Sequence, residues 1–107
     1  MNEETFVRYL NKPDVHDGII RSVSQDSDLL RVTVQTQDGR LVTFEFRNVQ
    51  SIKMNRPEGM MLYALCESRE TPPGRRFVFG NWDEEDDAFL EVVANDISSQ
   101  EIADESK

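Results

Sequence analysis

The stretch Leu29-Leu30-Arg31-Val32-Thr33-Val34-Gln35-Thr36-Gln37-Asp38-Gly39-Arg40-Leu41-Val42-Thr43-Phe44-Glu45-Phe46-Arg47 decides the fold class. Leu30, Val32 and Val34 alternate with Arg31, Thr33 and Gln35, and further on Val42, Phe44 and Phe46 alternate with Thr43 and Glu45. A side-chain period of two sends one set into a core and the other into water, the pattern of two half-buried strands. Between them Asp38-Gly39 tolerates positive φ and favours a tight hairpin turn. Residues 29 to 47 therefore read as a β-hairpin. Past it, Val49 and Ile52 continue the apolar rhythm after a break near Arg47-Asn48 that reads as a bulge or a corner.

Upstream, Ile19, Ile20 and Val23 in residues 15 to 23 predict another strand, followed by a polar turn at Ser24-Gln25-Asp26-Ser27-Asp28. Before that, Phe6, Val7 and Leu10 stand at helical spacing, with Glu3 and Glu4 at the start and Lys12 past the end, as the helix dipole favours. The spacing predicts a short N-terminal helix over residues 3 to 11. Pro13 ends it, because its ring removes a donor and disfavours a helical residue before it.

Downstream, Arg56-Pro57-Glu58-Gly59 is a turn-forming cluster. Residues 60 to 67 are apolar on both faces, which fits a buried strand or a buried helical turn. The run Phe77 to Trp82 returns after Thr71-Pro72-Pro73-Gly74, so the strand is chosen and the pair makes a second hairpin. Ala88 to Ile97 shows both a helical pattern (Phe89, Val93, Ile97) and a β-branched run (Val92, Val93), and is read as a strand. Residues 98 to 107 are apolar only at Ile102 and Ala103. The expectation is a mainly β fold, an antiparallel sheet of two meanders with about six or seven strands. It forms a sandwich or a partly open barrel, with the short N-terminal helix against one side. Residues 1–97 make a single β-rich domain, and 98–107 a flexible acidic tail.

A chain of 107 residues has the size of one domain. Folding at that size removes about two-thirds of the unfolded surface from water, enough to dispense with disulfides or a structural metal. The single cysteine, Cys66, forms no intramolecular bridge and no thiolate cluster, which fits a reducing compartment. The start, Met1-Asn2-Glu3-Glu4-Thr5, lacks a basic and apolar leader, and no stretch has the length of a membrane span. The expected location is cytoplasmic.

The net charge of −9 has an address. Acidic and basic side chains cancel over residues 1 to 82. Beyond them Asp83, Glu84, Glu85, Asp86, Asp87, Glu91, Asp96, Glu101, Asp104 and Glu105 face Lys107 alone. Such a segment repels nucleic-acid phosphates and anionic membranes, so neither is an expected partner, whereas a basic protein surface is.

Three features could carry chemistry. His16 beside Asp17 supplies the residue types of a general base or a metal ligand. In a strand, however, neighbours point to opposite faces, which favours a structural hydrogen-bonding role for the pair. With no second histidine in the chain, the usual zinc sets are missing. The acidic run Asp83-Glu84-Glu85-Asp86-Asp87 lacks the glycine and the spaced glutamate of a calcium loop, so neither metal nor cofactor is expected. Trp82 at its edge offers an aromatic anchor beside charges that steer a basic partner. Cys66, in an apolar stretch, is expected to be buried and inert, and the serines and glycines lie in no nucleophile-elbow or phosphate-loop motif.

Val15-His16-Asp17-Gly18-Ile19-Ile20, the strand Phe44-Glu45-Phe46-Arg47-Asn48-Val49, Leu62-Tyr63-Ala64-Leu65-Cys66-Glu67 and the late Leu90-Glu91-Val92-Val93-Ala94 follow in that order. Over roughly residues 14 to 97 the series resembles small uncharacterised bacterial β-rich domains with an N-terminal His-Asp-small motif. Some domains of that look are toxin-immunity proteins, and the resemblance implies binding and blocking of another protein. Two functional expectations result. One is a non-enzymatic, immunity-like binding domain that uses the acidic edge Trp82 to Asp87. The other is a small-ligand or enzymatic domain with a pocket near His16 and Asp17. Self-association through an open sheet edge is a further expectation.

Overall fold

The computed structural model describes residues 6 to 10, 15 to 83 and 85 to 102, and every regular element among them is a strand. These are β1 (Phe6–Tyr9), β2 (Ile19–Asp26), β3 (Leu29–Gln35), β4 (Leu41–Asn55), β5 (Leu62–Ser68), β6 (Arg75–Asn81) and β7 (Phe89–Ile102). They form one antiparallel sheet in the order β1-β5-β6-β7-β4-β3-β2. The two meanders, β2-β3-β4 and β5-β6-β7, are joined where β4 pairs with β7. The antiparallel β domain is thus as expected, but it is one seven-stranded open sheet and not the two facing sheets of a sandwich.

The alternation that predicted the first hairpin is the one that buries it. Leu30, Val32 and Val34 pair with Phe46, Phe44 and Val42, and all six are buried. The connection closes through Thr36 N–H to the Arg40 carbonyl at 2.8 Å and Gly39 N–H to the Thr36 carbonyl at 2.9 Å, with Gly39 at φ 92°. A positive φ of that size is what glycine supplies without steric cost. The preceding turn is tighter than the sequence suggests. β2 runs on to Asp26, and only Ser27, at φ 57°, and Asp28 turn the chain. The break expected near Arg47-Asn48 is present as Asn48 at φ 55° with a register shift before Ser51, and β4 continues beyond it.

The sheet is open in strand order, yet its two sides come together at one end. Gly59 N–H donates to the Ile20 carbonyl (2.8 Å), Ile20 N–H to Met60 (3.0 Å), Leu62 N–H to Gly18 (2.7 Å) and Asp17 N–H to Leu62 (2.9 Å). These bonds bring the start of β2 against the start of β5. The sheet wraps a core in which the phenylalanines of the two meanders meet above β7: Phe46 lies 5.3 Å from Phe77 and 5.9 Å from Phe79, and Phe44 lies 6.1 Å from Phe79, between ring centroids. Tilted and edge-to-face pairs at such spacings add to the burial of the rings themselves.

Two expectations are corrected. Among the described residues there is no N-terminal helix. Residues 6 to 9 form strand β1, with Arg8 opposite Glu67 and Tyr9 opposite Cys66. A segment this short nucleates a helix poorly, whereas the β5 backbone offers ready hydrogen bonds. Nor do residues 98 to 102 begin a tail. They complete β7, with Ser98, Ser99 and Gln100 opposite Glu45, Phe44 and Thr43. The long β4 supplies the ladder that these polar residues could not justify by burial. The remainder of the expected tail, 103 to 107, and the flanks 1 to 5 and 11 to 14 of the expected helix lie outside the described residues.

Beneath β1, the buried Glu67 carboxylate accepts hydrogen bonds from Arg75 Nε (2.9 Å) and Nη2 (3.0 Å) and from Arg8 Nε (3.1 Å). The Arg75 hydrogen bonds, ahead of the Arg75 charge and the Arg8 contacts, hold this carboxyl below its ordinary range despite its burial.

Two outcomes are expected. Truncation of the fully buried Phe46 to alanine leaves a large void and costs about 3–5 kcal/mol in urea unfolding. For Glu67, the unfolded carboxyl titrates near about 4.3 and the folded one lower, so its contribution is complete above that value and is lost as pH falls through the folded value. Urea midpoints from pH 7 down to pH 3 should therefore fall less steeply in the acid part of the series for Glu67→Gln than for the wild type.

Candidate functional site

Val15, His16, Asp17 and Gly18 form a turn closed by Gly18 N–H to the Val15 carbonyl at 2.8 Å, with Asp17 at φ 65°. Gly18 is wedged where no side chain fits. A Cβ there would lie 2.9 Å from Val34 Cγ1 and 3.0 Å from the carbonyl oxygens of Gln35 and Val15. The turn is tied to β5 by the two bonds between Asp17, Gly18 and Leu62, which sets His16 and Asp17 beside Tyr63. Tyr63 itself sits at a register irregularity between Leu62 and Ala64. Trp82 follows directly on β6, and its N–H donates to the Met61 carbonyl at 3.0 Å.

Three distant points of the chain thereby place three rings in mutual contact. Centroid separations are 5.7 Å for His16–Tyr63, 6.0 Å for His16–Trp82 and 5.8 Å for Tyr63–Trp82, with interplanar angles of 62°, 64° and 84°. All are edge-to-face contacts, in which the positive rim of one ring meets the negative face of another. The Trp82 indole N–H donates to Asp17 Oδ1, and Asp17 Oδ2 lies 3.4 Å from His16 Nδ1. Asp17 thus fixes the orientation of both neighbours. The expectation that His16 and Asp17 diverge fails because they occupy a turn, where strand alternation does not apply.

The cluster faces solvent. Tyr63, Trp82 and the adjacent Met61 are each nearly half exposed (46%, 47% and 46%), and Tyr9 is 52% exposed. The Tyr9 hydroxyl is held above its ordinary range chiefly by the neighbouring Tyr63 phenol. On one side of His16 a cavity of about 210 Å³ opens between Tyr9, Leu10, Val15, His16, Tyr63 and Leu65. On the other side a polar hollow of about 270 Å³ reaches Thr36, Gln37, Asp38 and Arg40. Arg40 there is committed to Asp38 at 3.0 Å and Glu101 at 3.2 Å.

The acidic run that follows Trp82 is occupied with its own loop. Asp83 N–H bonds Asn81 Oδ1 (2.8 Å), Glu85 N–H bonds Asp83 Oδ1 (3.0 Å), and Asn81 Nδ2 donates to Asp86 Oδ2 (3.2 Å). Arg56 pairs with Asp86 at 3.4 Å and also with Asp87. Asp83 and Glu85 remain exposed, and Glu84 lies outside the described residues. Among the described residues no group of three or more His, Cys, Asp or Glu could hold a metal ion. Cys66 is buried, and desolvation pushes its thiol up, the opposite of what a nucleophile requires.

The structure therefore unites Trp82 with His16 and Asp17, residues that the sequence assigned to two separate sites. It adds Tyr63, which sits in the apolar run of residues 60 to 67 read as a buried strand, and Tyr9, which sits in the segment read as a helix. No protein-family model, curated protein or solved structure matches the chain.

Asp17 gives a direct test of how the cluster is held. Asp17→Asn keeps an oxygen for the indole and tolerates positive φ, so the fold should be retained. Asp17→Val lacks both properties and should cost about 1–3 kcal/mol in urea unfolding, with Trp82 emission changed in the native state.

Proposed function

We propose that this chain is a non-enzymatic protein-binding domain that docks a basic partner surface on the His16–Tyr63–Trp82 cluster. The acidic residues following Trp82 form its rim. The observation that supports this most directly is the set of exposed rings in mutual contact, with Trp82 and His16 held by Asp17. Large aromatic side chains that are already ordered lose little freedom on binding and act as anchors. Asp83 and Glu85 contribute negative potential beside them, which steers a positive surface and opposes nucleic acid and anionic membranes. An immunity-type role, in which the domain covers a basic protein and blocks it, is one form of this activity. The buried free Cys66 is at home in a reducing compartment such as the cytoplasm.

The alternative, a small-ligand or enzymatic pocket at His16 and Asp17, draws on the cavity beside His16. At about 210 Å³ it is smaller than the roughly 300 Å³ at which ordinary ligand pockets begin. The Asp17 carboxylate is moreover engaged on both oxygens. Self-association through the edge of β2 is discouraged where Glu58 Oε2 already accepts from Val23 N–H at 3.2 Å.

Selection from a randomised peptide-display library tests the reading. Enriched sequences should carry net positive charge, and Trp82→Ala, shown to be folded by its far-UV spectrum, should weaken them about 30-fold. Asp83→Asn combined with Glu85→Gln should slow association and flatten its salt dependence. Enrichment of uncharged peptides that bind Trp82→Ala as well as wild type would sink the proposal.

A further inference from the structure

We infer that the outer half of β2 is a pairing edge for a second copy of this chain and that the Glu58 side chain holds it closed. β2 ends the sheet, and along Ser22 to Asp26 its ladder partner is β3 alone among the described strands. The start of the strand is covered, since the Ile20 carbonyl accepts from Gly59 N–H (2.8 Å) and Ile20 N–H donates to the Met60 carbonyl (3.0 Å). Past the register shift between Ile20 and Ser22, the Val23 N–H donates to Glu58 Oε2 at 3.2 Å, a carboxylate in the place of a neighbouring strand's carbonyl. Backbone groups of a strand point alternately to either side, so Gln25 presents its N–H and C=O on the same edge as Val23. Ser24, Gln25 and Asp26 are exposed, and edge groups of this kind recruit further strands.

A second copy is favoured as the occupant by what an antiparallel pairing of this edge with itself brings together. Val23 opposite Gln25 of the other copy keeps the outward groups of both strands facing. Ser24 then stands on its own counterpart and Ser22 on Asp26, so a hydroxyl meets the strand's one carboxylate and no like charges face each other. Arg21 and Asp26 leave the strand neutral in a chain of net charge −9, and the remaining repulsion between copies is screened at physiological salt. Glu58 opposes this pairing in two ways. Its carboxylate satisfies the Val23 donor, and it would bring a negative charge from each copy to the seam. Its turn places it for that task without depending on it. Met60 N–H closes on the Pro57 carbonyl at 3.1 Å with Gly59 at φ 92°, so backbone bonds hold the loop.

Sedimentation velocity over a concentration series of the full chain tests the inference. Glu58→Ala should dimerise with a dissociation constant about 10-fold or more below that of the wild type, the factor expected for loss of a hydrogen bond to a charged acceptor. Glu58→Gln, which keeps an acceptor oxygen, should dimerise more weakly than Glu58→Ala. Adding Gln25→Pro, which removes an outward donor and is tolerated at a strand edge, should return Glu58→Ala to the wild-type constant. Amide exchange of Glu58→Ala gives a reading without that proline, since Val23 and Gln25 should exchange more slowly as concentration rises. An unchanged constant for Glu58→Ala overturns the inference. Dimerisation that leaves Val23 and Gln25 exchange unaffected places the contact on another surface and overturns it too. Equal dimerisation of Glu58→Gln and Glu58→Ala assigns the effect to charge alone and removes the cap. None of these outcomes bears on docking at Trp82, which the display selection reads.

Discussion

The ladder between β4 and β7 is the constraint on which the rest of the structure depends. It runs from Leu41 opposite Ile102 to Asn55 opposite Phe89, with one irregularity between Val49 and Ser51. Without it, each meander would present a long row of unsatisfied backbone groups and half a core. With it, Leu90 and Val92 stand opposite Met54 and Ile52 of β4 on one side and Phe79 and Phe77 of β6 on the other, and the inner face becomes continuous. The aromatic cluster inherits its position from the same frame. Trp82 is where it is because β6 is held beside β7, and His16 because the start of β2 is fastened to β5.

Charge tells a different story in space from the one it tells along the chain. The acidic excess of the last quarter looks like a separate negative end in one dimension. In the fold, β4 and its flanks lay arginines against it: Arg40 on Glu101, Arg47 on Asp96 and Arg56 on Asp86 and Asp87. Solvent-exposed pairs of this kind contribute little stability individually. Their effect is on the field, since they leave Asp83 and Glu85, beside Trp82, as acids of that segment without a neutralising arginine in the ion pairs described.

What was legible in the sequence was the part written in local periodicity. The hairpin of Leu30 to Phe46 and the strands in 62–68 and 89–97 follow from alternation, β-branching and turn residues that lie within a few positions of one another. Phe6, Val7 and Leu10 misled because their spacing is a local signal, while the β5 edge that captures them is some sixty residues away. Ser98 to Ile102 misled for the same reason, since their partner is β4. The convergence of His16 and Asp17 had an available signal that went unused: Asp17-Gly18 is the same dipeptide as Asp38-Gly39, and it too marks a turn. Tyr63 carried no such mark, because only a register irregularity turns it from a core position to the surface.

The central place of β7 bears on how such a chain acquires its shape. During synthesis β4 and β6 are made first, and each must wait, one flank bare, for the strand that lies between them. Hairpins β2-β3-β4 and β5-β6 can form early from near neighbours, but the shared core cannot close until the last strand in chain order arrives. Contacts between residues far apart in the chain, from Asn55 opposite Phe89 to Leu41 opposite Ile102, dominate that step, and folding that depends on them is slow compared with the closing of a hairpin. A ribosome-bound intermediate of this domain would therefore expose two parallel-running sticky edges, the condition in which nascent chains depend most on being shielded from one another.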